Sequence, residues 1–194
     1  MNGFKATNGD LVSLDFEIVP LPEVSCVKSV VGALQKFDYN IEISISEAVG
    51  DITVRENDDA VPDSAVMQHR LVTKIASSVD FKANNVAYGE YYPANPALRR
   101  DHERAMMICD IVDEDKLFPY RPSERVRQDV TTLMMLAWHQ RENEEPIAVM
   151  TRWRCLRIQV RHSHTVVLNR MRNSADKVAE AMLSTIRQAA STVL

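Results

Sequence analysis

The stretch Ile147-Ala148-Val149-Met150-Thr151-Arg152-Trp153-Arg154-Cys155-Leu156-Arg157-Ile158-Gln159-Val160-Arg161 decides how this chain is read. Ile147, Val149, Trp153 and Cys155 share one parity, whereas Leu156, Ile158 and Val160 share the other. A period of two marks a strand, and an apolar face that changes parity midway implies a β-bulge near Cys155. Arg157, Gln159 and Arg161 have one parity after that point, and Arg152 and Arg154 have the opposite parity before it. The expected bulge therefore brings all four arginines to a single solvent face.

The charge around this strand supports a surface built for anions. No Asp or Glu occurs between Ile147 and Ala175, while Arg152, Arg154, Arg157, Arg161, Arg170, Arg172, His162 and His164 gather there. The chain as a whole carries −4, and without those six arginines the remainder holds 17 basic and 27 acidic residues, or −10. Arginine is used six times in the window and lysine never. A guanidinium bonds phosphate or carboxylate in a planar, bidentate way that an ammonium cannot. These eight residues are the expected nucleic-acid or anionic-partner site. The phosphate backbone of RNA or DNA fits it, and so does an acidic protein surface. The chain's own runs at Asp58-Asp59, Asp113 to Asp115 and Glu142 to Glu145 fit it too, within one subunit or across a contact. The acidic total argues against indiscriminate coating of nucleic acid. Without a zinc-finger, RRM or KH signature, any such contact is to backbone and shape. Trp153 either stacks on a base or fills the core.

Working outward, Glu142 to Pro146 is a charged turn into the strand. Beyond the window, from Asn173 or Ser174, Ala175, Val178, Met182, Ile186, Ala189 and Val193 form the apolar stripe of a long C-terminal amphipathic helix. Ser123 caps an expected helix through Arg141, and Leu98 to Val112 and Val24 to Phe37 show the same spacing. Ser64 to Ser78 fits either a helix capped by Asp63 or a long strand, with helix preferred. Tyr39, Ile41, Ile43 and Ile45 alternate with Asn40, Glu42, Ser44 and Ser46, the pattern of a half-buried strand. Gly50 then joins it to Ile52 and Val54 in an expected antiparallel hairpin. Tyr88-Gly89-Glu90-Tyr91-Tyr92-Pro93, with Pro96, reads as a loop, and Tyr88, Tyr91 and Tyr92 make it a candidate protein-interaction loop. The sum is a single α+β domain over residues 1–194, a mainly antiparallel sheet packed with about four to five helices.

Catalytic machinery is not legible. His162-Ser163-His164 has a spacing that zinc sites use, but nothing points to a third ligand, so no metal is expected. Pro62-Asp63 with Glu114-Asp115-Lys116 resembles the carboxylate and lysine pattern of metal-dependent nucleases, at a separation too long for their hairpin. Nucleotide loops and nucleophile elbows are missing from the sequence, and no cofactor is implied. Cys26, Cys109 and Cys155 are odd in number and widely spaced, which fits reduced thiols in a cytoplasmic protein. The N-terminal residues hold no signal core and no run is long enough to cross a membrane. Met106-Met107 and Met134-Met135 read as core packing or as an adaptable groove.

The expected function is a non-enzymatic assembly or structural protein, for instance a viral or phage particle component. It would be a homo-oligomer or bind a protein partner, and use its arginine face on phosphate or on an acidic neighbour. Alternatives are a small adaptor, inhibitor or chaperone acting by protein contact, and a metal-dependent nuclease.

Overall fold

Two strands, β7 (Arg125–Arg141) and β8 (Glu144–Gln159), form a long antiparallel hairpin that frames the molecule. The computed structural model describes residues 2–56, 66–75, 79–98, 101–142, 144–159 and 165–191. On one side of the hairpin lie β2 (Leu11–Leu21) and the edge strand β1 (Asn2–Lys5). On the other lie β6 (Arg104–Ile111), β5 (Val79–Tyr92), β4 (Val66–Ile75) and the edge strand β3 (Ile52–Arg55). The eight strands make one sheet in the order β1-β2-β8-β7-β6-β5-β4-β3. Neighbours are antiparallel, with one addition. Where β6 stops, β5 and β7 meet directly and run parallel from Asp80↔Arg125 to Lys82↔Arg127. The sheet is therefore a strand narrower at that end.

Three helices cover one face: α1 (Val27–Tyr39), α2 (Ile41–Val49) and the long α3 (Thr165–Ser191). Val27, Val30, Val31 and Leu34 of α1 pack with Leu21, Leu136, Met150 and Ile186 into the main core. Each such side chain taken fully out of water contributes about 1.5–3 kcal/mol. A smaller cluster of Phe81, Leu156 and Ile158 closes the other end of the same face. The N-terminus of α1 lacks a side-chain cap of its own, and the Val27 N–H is met instead by Glu103 Oε1 at 2.6 Å. Gly50 ends α2 in the left-handed region (φ 80°), where only glycine sits without strain.

Several sequence expectations are corrected by this topology. The α+β class, the antiparallel sheet and the C-terminal helix hold, but the described residues form three α-helices and not four to five. Ser123–Arg141, Leu98–Val112 and Ser64–Ser78 supply strands β7, β6 and β4 in place of helices. Leu133 and Met135 lie exposed on the outer face of β7 while Met134 and Leu136 are buried on the inner one. Apolar residues on both faces erase the period of two and mimic a helical stripe. Conversely, Tyr39–Ser46 is not a strand but the junction of α1 with α2. Ile41, Ile45 and Val49 stand one helical turn apart on the side that faces the sheet. Ile52 and Val54 do form a strand, paired with β4 and not with a preceding hairpin arm. The tyrosine segment lies in β5, not in a loop.

Candidate functional site

The inner face of β8 carries Ala148, Met150, Arg152, Arg154, Leu156 and Ile158, all buried, while Thr151, Trp153, Cys155 and Arg157 point the other way. Register with β2 and β7 is continuous through Cys155, so the expected bulge does not exist there; the one irregularity lies at His139/Arg141. The apolar face does not change parity. Two arginines occupy the inward row where apolar residues would be expected, and Trp153, 38% exposed, is on the outer face instead of in the core.

What makes inward arginines tolerable is the strand opposite. Arg152 stands across from Glu17 and Arg154 across from Asp15 in the β2–β8 ladder. Arg152 forms an ion pair with Glu17. Arg154 donates from Nη2 to Asp15 (3.1 Å) and Asp176 (2.9 Å), and from Nη1 to the Ala175 carbonyl (2.7 Å). Cross-strand opposite charges stabilise a sheet, and pairing is what makes a buried guanidinium affordable. Burial lowers the pKa of Arg152, and Glu17 acts against that shift. Arg157 lies on the outer face, bonded through Nε (3.0 Å) and Nη2 (2.8 Å) to Asp129, which raises its pKa. Arg170 is on α3 and pairs with Asp51 at the end of α2. Arg172 also belongs to α3, and Arg161, His162 and His164 lie outside the described residues. The expected single cationic face is thus distributed over both sides of the sheet and a helix, with Arg152, Arg154, Arg157 and Arg170 each held by a carboxylate.

Between α2, α3 and the inner face lies a cavity of about 250 Å³ open to the centre of a water molecule. Its wall is mostly apolar: Ile41 and Ile45 from α2, Val178 and Met182 from α3, Leu71 and Phe81 from the sheet. Small side chains, Ala83 and Ala87 on β5 and Ala175 and Ala179 on α3, leave the room. The polar members are few. Arg152 and Arg154 line one side and are engaged as described. His69, 3% exposed, faces Asp38, with Nε2 3.1 Å from Oδ1. Asn85, opposite His69 in the β4–β5 ladder, donates to the Val130 carbonyl at 2.6 Å and to Cys109 Sγ at 3.4 Å. Burial pushes the Cys109 thiol up to about 11. Cys155 is raised as well, again by burial first, although Arg157 works against it. All three cysteines are free.

The remaining expected site residues have structural partners. Tyr91 donates to Glu103 (2.5 Å), the carboxylate that caps α1, and that bond lifts the phenol to about 12. Tyr88 and Tyr92 both donate to Glu90, at 2.8 and 2.6 Å. Asp115, half of the nuclease-like motif, accepts from Arg70 and Asn84, while Asp63 lies outside the described residues. Among the described residues no group of His, Cys, Asp and Glu could hold a metal ion, and no helix is long and apolar enough to cross a membrane. Sequence reasoning missed the cavity. The signal that could have pointed to it was polar residues, His69, Thr73 and Asn85, in inward rows shared with Leu71, Phe81, Ala83 and Ala87.

No protein-family model matches the sequence. No curated protein matches it either. Among solved structures, human STARD10 is similar over 99% of this chain and 73% of its own, with a TM-score of 0.50 and 10% identity. The human StarD13 lipid transfer and protein localization domain is similar over 97% and 87%, with a TM-score of 0.45 and 9% identity. A START superfamily protein from Mycobacterium smegmatis is similar over 90% and 97%, with a TM-score of 0.37 and 9% identity. The likeness to STARD10 is one of fold, and the fold is START-like. The expectation of a viral or phage assembly component with an arginine-rich docking face is overturned. The chain adopts a START-like fold around a cavity, and two of the arginines meant for that face are buried inside it.

Proposed function

We propose that this protein binds a single apolar small molecule in the cavity between α3 and the inner face of the sheet, as a carrier or sensor and not as a catalyst. The observation that carries the reading is the cavity itself: aliphatic and aromatic walls, a handful of polar groups, and a fold that holds it between a sheet and a long helix. Ligand sites are concave, largely apolar and furnished with few polar groups that fix orientation. A packed domain of this size has no structural need for a void lined by Ala83, Ala87 and Ala179, since larger side chains there would add stability. Three free cysteines fit work in a reducing, intracellular compartment.

The test is binding of an apolar dye. Nile red should bind with one-to-one stoichiometry and be displaced by decanol. Ala83→Phe, which projects a ring into the cavity beside Leu71, should weaken dye binding by about tenfold or more while the protein stays folded. A wild-type protein that takes up no dye, or an Ala83→Phe variant that binds it as well as wild type, would remove the reading.

A further inference from the structure

The His69 imidazole is buried in the wall of this cavity, yet neither Nδ1 nor Nε2 has a hydrogen-bond partner among the described residues. Nε2 is close to Asp38 Oδ1, at 3.1 Å, but without the alignment of a hydrogen bond. Asp38 Oδ2 is likewise buried and unbonded. Asp38 lies in the last turn of α1 and His69 stands in the middle of β4, so these unmet groups come from two elements that both line the cavity. Buried polar atoms are rarely left unpaired, because each costs the desolvation of its group without a compensating bond. Two neighbouring side chains in that condition, in a wall that is mostly apolar, are the arrangement expected where a ligand supplies the missing bonds.

We propose that His69 and Asp38 select a neutral ligand with an apolar body and one hydroxyl group, the hydroxyl donating to the Asp38 carboxylate and accepting from the protonated nitrogen of the imidazole. This rests on the cavity being a ligand site. The choice of a hydroxyl follows from counting donors and acceptors. A carboxylate only accepts, whereas a neutral imidazole has one donor and one acceptor nitrogen. A ligand group that both donates and accepts serves this pair, and a hydroxyl is the smallest. The surrounding charge disfavours an anionic head. The charges of the two cations lining the cavity, Arg152 and Arg154, are already met by Glu17, Asp15 and Asp176, although Arg154 Nε has no hydrogen-bond partner among the described residues, and Asp38 itself repels a second carboxylate or a phosphate. A site that bonds a hydroxyl discriminates against the analogue lacking it, because its buried groups are then left unpaired.

Competition against Nile red with decane, decanol, decanoate and decylamine tests this. Decanol should bind about tenfold more tightly than decane, the effect of roughly one net hydrogen bond, and more tightly than either charged analogue. In the double variant Asp38→Leu with His69→Phe the ratio of decanol to decane affinity should fall to about one, while His69→Gln, which keeps a donor and an acceptor beside Asp38, should retain most of it. Because the double variant removes both members of the pair and leaves neither buried alone, its thermal midpoint should stay close to that of wild type, which separates lost selectivity from lost folding. Displacement by all four compounds without preference, or the strongest displacement by decanoate or decylamine, overturns the assignment while leaving the cavity as a binding site. A decanol preference that survives in the double variant also overturns it. Failure of the dye and of every competitor to bind removes both this inference and the reading beneath it.

Discussion

Arg154 of β8 donates to the carbonyl of Ala175 on α3, 2.7 Å away, and one residue further its guanidinium meets Asp176. This is a direct polar tie between the sheet and the helix that covers the cavity. Arg154→Ala should destabilise the protein by about 3 kcal/mol, because it leaves Asp15 and the Ala175 carbonyl without their buried partner. Asp176 is half exposed and can turn to water, so Asp176→Asn should cost no more than about 1 kcal/mol. Urea unfolding of the two variants checks the order, and equal losses would mean that Arg154 does not hold α3 through its burial.

Asp115 should make the protein acid-sensitive in a defined window. Burial by itself would raise its carboxyl, but bonds from Arg70 Nε (2.6 Å), the Phe118 N–H (3.1 Å) and Asn84 (2.8 Å) outweigh it and hold the pKa at about 2. A carboxyl depressed in the folded state stabilises above its unfolded pKa, near 4, and that stabilisation disappears as pH falls through the folded value. Asp115→Asn should therefore lose on the order of 2 kcal/mol at neutral pH and show a flatter decline in stability from about pH 4 to about pH 2. Unfolding curves across that range would show whether the wild-type decline is as steep in the variant, which would count against the account.

Cys109 lines the cavity with a thiol raised to about 11. At pH 8 only about one thiol in a thousand would then be ionised, so alkylation should run about a hundredfold slower than for an unperturbed cysteine. Mass spectrometry after timed treatment with iodoacetamide reads this directly. Labelling of Cys109 at the rate of a free thiol would show that the cavity side of β6 is wetter than its packing implies.

Two glycines should respond in opposite directions. Gly50 has φ 80°, so Gly50→Ala should cost about 1 kcal/mol by straining the end of α2. Gly32 is exposed in the middle of α1 and an added Cβ would meet nothing within 4 Å, so Gly32→Ala should stabilise by somewhat under 1 kcal/mol. Thermal midpoints of the pair give the comparison, and a stabilising Gly50→Ala would contradict the left-handed cap.

The sequence disclosed the α+β class, α1, the stripe of α3 and the strand character of residues 147–159, because each has one wet face and one dry face in the expected rhythm. It concealed β6 and β7, since a sheet with apolar residues on both sides has no rhythm to read. It misplaced α2, because Ile41, Ile43 and Ile45 satisfy a strand as well as a helix, and only Ile43 is left exposed. The arginine window was visible as an excess of charge but not as an interior feature. Its counter-charges sit at Asp15, Glu17 and Asp129, far away in sequence, and the pairing that neutralises them is a matter of topology. The cavity left only scattered polar residues in inward rows as its trace, for a related reason: a void is a relation between elements, and no single element records it.

The ladder in which Glu17 faces Arg152 and Asp15 faces Arg154 also bears on the order in which the molecule is made. The bonded pair Asp15 and Arg154 are 139 positions apart, so on a ribosome the two acids of β2 emerge long before either arginine exists. The β2–β8 seam is a late event, when most of the sheet can already have formed around β7. At that moment a slip of one residue would set Glu17 against Trp153 and turn both guanidinia to the wrong side of the sheet. The paired charges thus act as a checking device for strand alignment at the last join, a task for which interchangeable aliphatic side chains would be poorly suited.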